Sequence, residues 1–158
     1  MNNKSAFSNV SFEYLRNSPK FLNLMLNNIT SCLLLLDNEM KLYSFNDPLY
    51  TLFSNSNNGD ILYKKCGEVL GCAYAVEENK PCGETSNCNV CELREASLLS
   101  YSTKEPVKKQ VVEREFYLVD GTKELKHLAF STTFFEFDKD NYLMLIIDDV
   151  SDIKGKVN

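Results

Sequence analysis

Cys72, Cys82, Cys88 and Cys91 fall within twenty residues of a 158-residue chain, and the last two form a Cys-x-x-Cys pair. Thiolates are soft donors, so four in one window point to tetrahedral Zn²⁺, with Zn–S near about 2.3 Å, or to an iron–sulfur cluster. The nine residues between Cys72 and Cys82, and the five between Cys82 and Cys88, are enough for the chain to fold back. Gly71 and Gly83 permit close backbone approach on the way. Zinc ribbons pair their cysteines twice, whereas only Cys88 and Cys91 pair tightly here, which makes an iron–sulfur cluster the preferred cofactor over zinc. A reversible disulfide or a set of plain thiols is the remaining reading. Covalent c-type haem is disfavoured because Glu92 stands where the attachment motif requires histidine.

The other reactive residues read as structural. Cys32 adjoins an apolar run and has the character of a small buried hydrophobe. Cys66, six residues before Cys72, reads as a core or surface thiol rather than a ligand. His127, the one histidine, lies among Leu125, Leu128 and Phe130, where a structural role is expected. Glu113, Glu115, Asp148, Asp149 and Asp152 read as solvated strand ends and turns, and Phe116, Phe130, Phe134, Phe135 and Phe137 as sheet core and dimer surface. There is no phosphate loop, nucleophile elbow or His-Glu metal motif, so the chain is expected not to be an enzyme.

Composition limits the partners. A net charge of −5 and a pI near 5.0, without a long basic run, argue against a nucleic-acid or anionic-membrane surface. No stretch approaches the roughly 18 apolar residues of a spanning helix, and no signal peptide is visible, so a cytoplasmic protein is expected. In a reducing cytosol, clustered cysteines serve more often as ligands or redox groups than as structural disulfides.

The elements that must position the cysteines follow from pattern. Ser18-Pro19 reads as an N-cap and first helical residue, with Leu22, Met25, Leu26 and Ile29 at helical spacing, which predicts a helix near 19–29. Val10, Phe12, Tyr14 and Leu15 give residues 1–17 the character of an N-terminal extension with an amphipathic piece. Cys32–Leu36, a turn at Asp37-Asn38 and Met40–Phe45 predict a hairpin, and Asn46-Asp-Pro a short helical turn. The polar Ser54–Asp60 reads as a loop. Strands are expected near 107–119, 123–137 and 141–148, separated by Asp120-Gly121 and Asp138–Asn141, as an antiparallel meander. The apolar runs at 33–36 and 142–147 lack alternation, so both strands are buried on two sides or central. Asn89 with Glu92 fits a capping box, with Val90, Leu93, Ala96 and Leu99 facing inward. Cys91 would then lie in the first turn, where exposed N–H groups and the helix dipole favour a thiolate. Lys64, Lys65, Lys80 and Arg94 are near in sequence and could offset its charge. The sum is an α+β domain over 18–153: a helix, two strands, a cysteine-rich insert at about 60–100, three more strands, and a tail at 154–158.

This order resembles the PAS sensory domain family. The matching residues are the helix-led start, Leu33-Leu-Leu-Leu-Asp37, Leu42-Tyr-Ser-Phe-Asn46, and Leu145-Ile-Ile-Asp-Asp-Val-Ser-Asp-Ile153. Asn46 stands where similar domains have an asparagine after the second strand, and Asp149–Asp152 where they end in an Asp-Ile-Thr-like signature. Gly67–Ala75, Cys82-Gly, Cys88-Asn-Val-Cys91 and Leu93–Ala96 are similar to a cysteine-rich bacterial PAS variant often attached to sensor kinases. In that variant the cysteines occupy the region of the ligand pocket. The resemblance implies a five-stranded antiparallel sheet and a non-enzymatic sensory module.

The expected function is therefore a module that binds an iron–sulfur cluster or metal through Cys72, Cys82, Cys88 and Cys91 and relays redox or gas state to a protein. A homodimer is expected, and, since the chain ends shortly after Asp152, so is a separate signalling partner such as a sensor kinase or other output protein. The alternative is a zinc-stapled interaction or dimerisation module. A thiol oxidoreductase using Cys88 and Cys91 ranks last, because no βαβ unit precedes the pair.

Overall fold

The computed structural model describes residues 17–53, 61–88, 91–118 and 120–152. The expected amphipathic piece at 10–15, the Ser54–Asp60 loop and the 154–158 tail lie outside them.

Helix α1 (Pro19–Asn28) begins as expected: the Ser18 hydroxyl accepts a hydrogen bond from Phe21 N at 3.2 Å, and Pro19 takes the first turn. None of its ten residues is buried. Asn46 fastens the end of α1 to the sheet. Its Nδ2 donates to Leu26 O and Ser31 O, and its Oδ1 accepts from Leu33 N at 2.8 Å.

Strands β1 (Cys32–Leu36) and β2 (Leu42–Phe45) form the hairpin, and α2 (Pro48–Leu52) follows it. Helices α3 (Cys66–Leu70) and α4 (Ala73–Glu78) come next, then α5 (Glu92–Thr103). Strands β3 (Val107–Tyr117), β4 (Lys123–Phe137) and β5 (Asp140–Asp149) complete the chain. They form one five-stranded antiparallel sheet in the order β2-β1-β5-β4-β3. The insert of short helices lies between the second and third strands in sequence, as expected.

The long apolar runs are internal strands, β5 at the centre with β1 beside it. Their two faces differ, however. Leu34 and Leu36 pair with Leu145 and Leu143, and all four are buried, while Leu33, Leu35, Met144 and Ile146 on the opposite face are half-exposed. The core therefore sits on one face, where Phe53, Phe116, Phe130, Leu49, Leu70, Leu128 and Ile147 join them. Phe135 and Phe137 lie outside it, exposed.

The insert is tied to both edge strands. Lys65 bridges to Lys41 beside β2, and Cys72 bridges to Phe116 on β3. Tyr117 N donates to Gly71 O at 2.8 Å. Gly71, at φ 80°, closes α3 in a left-handed conformation that glycine adopts without a Cβ clash.

Candidate functional site

The bridges at Lys65 and Cys72 set α3 across the core face, and the turn after α4 returns Cys82 beside it. Gly67 makes that approach possible: a Cβ there would lie 2.9 Å from Cys82 Sγ and 3.0 Å from Cys82 Cβ. Between the insert, α5 and β3 lies a cavity of about 200 Å³. Cys66, Cys72, Cys82, Cys88 and Cys91 all line it.

The structure thus brings all four expected ligand residues to one cavity and adds a fifth. Cys66 opens α3 one helical turn before Leu70, and residues four apart share a helix face. It packs against the hydrophobic core and lines the cavity as well. Cys32 is fully buried in the sheet core, as expected.

Each sulfur has a different environment. Gly83 N donates to Cys88 Sγ at 3.2 Å, and Thr85 Oγ1 lies 2.8 Å from it. Partial burial opposes ionisation of the Cys88 thiol. The hydrogen bonds from Thr85 and Gly83 and the charge of Arg94 outweigh that and hold it below the ordinary thiol range. Cys82 moves the other way: burial raises it, a backbone hydrogen bond from Gly67 opposes this, and neighbouring Cys88, Cys91 and Cys72 raise it further. Cys66 is pushed up more strongly, first by burial and then by Cys82 and Cys91. Cys32, buried near Asp148, is pushed up to about 12.

Arg114 forms the floor. It sits on β3 between Val112 and Phe116, and its side chain is only 9% exposed. Nη1 donates to Cys91 Sγ at 3.3 Å and Nη2 to Glu92 Oε1 at 3.3 Å. Its guanidinium lies 5.2 Å from the centre of the Tyr74 ring. Sequence reasoning missed this residue. The signal was its parity: Val112, Arg114 and Phe116 alternate with Glu113 and Glu115, so the apolar flanks carry the arginine inward.

The start of α5 differs from expectation. Cys91, not Asn89, is the N-cap, because Cys91 N already donates to Cys88 O in a tight turn and the helix begins only at Glu92. Asn89 and Val90 lie outside the described residues. The inward face is Leu93, Ala96, Ser97 and Ser100, and Leu99 points outward at 53% exposure. Of the expected cations, Arg94 and Lys65 reach the cavity, whereas Lys80 pairs with Glu78 at 3.9 Å.

The residues singled out as structural hold the sheet. His127 Nδ1 lies 3.2 Å from Glu113 Oε2, and Asp148 accepts from Ser31 Oγ. Asp149 is less solvated than expected: it pairs with Lys126 at 3.2 Å and accepts two hydrogen bonds from Ser151.

As the side chains stand, no three cysteine, histidine or carboxylate groups among the described residues are drawn together tightly enough to hold a metal ion. The donor chemistry nevertheless fits a soft-metal group. Five thiols face one cavity, with Glu39 the one carboxylate on its wall among the described residues. Arg114, Arg94 and the N–H of Gly83 supply the positive ends that thiolates need.

No family model matches the sequence, and no curated protein is similar to it at a significant level. Solved structures are similar in fold. A PAS domain from Colwellia psychrerythraea is 10% identical, with 84% of this chain and 97% of that one covered and a TM-score of 0.55. The PAS domain of an HTR-like protein from Haloarcula marismortui is 11% identical, with 85% and 98% covered and a TM-score of 0.56. The PAS domain of nitrogen regulation protein NR(II) from Vibrio parahaemolyticus is 15% identical, with 81% and 96% covered and a TM-score of 0.52. No described helix is long and apolar enough to cross a membrane. The chain therefore has the PAS fold, with a core-side cavity lined by cysteines.

Proposed function

We propose that the chain is a non-enzymatic sensory module that holds an iron–sulfur cluster in the cysteine cavity and reports its redox or gas-exposed state to a protein partner. The observation that carries this reading is the convergence of five cysteine side chains on one cavity floored by a buried arginine. Cys72, Cys82, Cys88 and Cys91 are the ligand set, with Cys66 on the same wall. The bound group would supply a one-electron couple and a target for oxygen or nitric oxide. The chain's own part is to exclude water, hold the thiolates against cationic and N–H partners, and carry a change at Cys91 into α5.

That helix is latched to the sheet at its far end. The Ser100 and Thr132 hydroxyls, both fully buried, lie 2.5 Å apart. A shift at Cys91 therefore acts on β4 through a packed helix, and β4 offers the face on which a second copy or a kinase-type output protein would read it. A domain of this fold is part of the nitrogen regulation protein NR(II), which is consistent with a regulatory role.

The test is anaerobic purification followed by reconstitution. Broad visible absorbance bleached by dithionite, with iron and acid-labile sulfide present, is expected, and Cys88→Ser with Cys91→Ser should abolish it. A colourless protein that binds zinc stoichiometrically would replace this reading with a structural staple. Metal content, fold and partner binding all unaffected by the two substitutions would remove both.

A further inference from the structure

Two cations on β3 and β4 are buried side by side on the core face of the sheet. Arg114 and Lys126 are paired directly across the ladder, face the core together, and have side chains only 9% and 7% exposed. Like charges directly opposite on one sheet face repel, and buried cations need anions. Lys126 has two, Asp149 at 3.2 Å and itself largely covered, and the half-exposed Glu124 at 3.5 Å. Arg114 has Glu92, whose side chain is 51% exposed at the rim. Inward of that rim, the groups within reach of the guanidinium are sulfurs: Cys91 Sγ accepts from Nη1 at 3.3 Å, and the Cys72 thiol sits beside the same group. The Tyr74 ring holds the guanidinium plane from the side.

We propose that Arg114 is the residue that makes the cavity selective for an anionic, sulfur-ligated occupant and sets the potential at which that occupant accepts an electron. The inference rests on the cluster reading for its redox half and on the charge geometry alone for its selectivity half. A fixed cation beside two of the four sulfurs favours whatever gathers negative charge there. When a low-potential donor delivers one electron, the site gains one negative charge and loses no atom, and Arg114 stabilises that added charge by hydrogen bonding and proximity. It is a positioning and tuning residue, acting through Cys72 and Cys91.

Two measurements test this on the full chain. On the metal-free protein at one fixed pH, Cys72 and Cys91 are alkylated with anionic iodoacetate and with neutral iodoacetamide, and modified peptides are quantified by mass spectrometry. Arg114→Gln should lower the iodoacetate-to-iodoacetamide rate ratio roughly tenfold, the scale of one nearby charge in a half-buried site. Arg114→Lys should keep most of the ratio. On reconstituted protein, spectroelectrochemical titration should give a more negative midpoint for Arg114→Gln than for wild type, with Arg114→Lys between them. An unchanged alkylation ratio in folded Arg114→Gln, or an Arg114→Lys protein indistinguishable from it in both assays, would overturn the proposal. If wild type takes up no cluster, the functional reading falls, and the alkylation ratio still decides the role of Arg114.

Discussion

The meander β3–β5 and the cysteine insert are built on opposite terms. The meander consists of strands of ten to fifteen residues paired along nearly their full length. Its stability comes from ladders and from buried Leu128, Phe130, Leu145 and Ile147. The described helices of the insert are five and six residues long, too short to be stable alone, and they end on left-handed residues, Gly71 and Asn79. What holds them is the burial of Val69, Leu70 and Ala73 together with a few specific ties: two edge bridges, the Glu78 carboxylate on Ser86, and the sulfur contacts of Cys88 and Cys91. An extensively paired scaffold thus carries a segment held by short helices and local ties, and the two should respond differently to substitution.

The contrast can be broken from either side. The largest effect should come from Leu145→Ala in the central strand, about 3 kcal/mol lost to a cavity nothing can fill, read by denaturant unfolding and independent of cofactor loading. Gly67→Ala should cost about 1–2 kcal/mol, because the new Cβ forces Cys82 aside. Its signature is a loss of metal or cluster retention out of proportion to that cost, measured as bound iron or zinc per chain against the melting temperature. An equal loss of retention in Leu145→Ala at matched stability would erase the distinction.

Acid should find the pair that buried Lys126 makes with half-buried Asp149 in the meander. Burial raises the Asp149 carboxyl, but the hydrogen bonds from Ser151 and the Lys126 charge win and hold it below the ordinary carboxylate range. Its contribution is therefore present above the unfolded value of about 4 and is lost as pH falls through the lower folded value. Asp149→Asn should be less stable than wild type at neutral pH, and thermal melts of the two should converge on acidification below about pH 4. A constant gap would show that Lys126 does not use the charge. The smallest effect belongs to the exposed pair Lys104 and Glu136, where Glu136→Ala should change stability by less than about 0.5 kcal/mol.

The same division explains what was legible. The strands could be read because their boundaries are turn residues with local physics, such as Asp120-Gly121 and the Asp138-Lys139 pair, both of the latter at positive φ. The α1 start was readable from Ser18-Pro19, but what its apolar face meets is not a local property. In the insert, spacing located four sulfurs at one cavity without their partners. Arg114 is distant in sequence and enters through strand parity, while Cys66 enters through a five-residue helix too short to show a period. The α5 cap was misplaced because Asn89 is the better capping residue in isolation. A turn closed by Cys88 carbonyl decides the matter, and composition does not reveal it.

Cys91 is both a wall of the cavity and the cap of a helix twelve residues long, a rod of about 18 Å. Over that length an α-helix is stiff, so a displacement imposed at the sulfur is not absorbed along the way. It arrives at Lys104, where the chain turns at φ 63° and hands over to the first residue of β3 three positions later. The strand that leaves this pivot is the one that carries Arg114 back beneath Cys91. Sulfur, rod, pivot and strand therefore form a closed mechanical loop, and a fluorophore at exposed Ser102 would register events at the thiol without touching it.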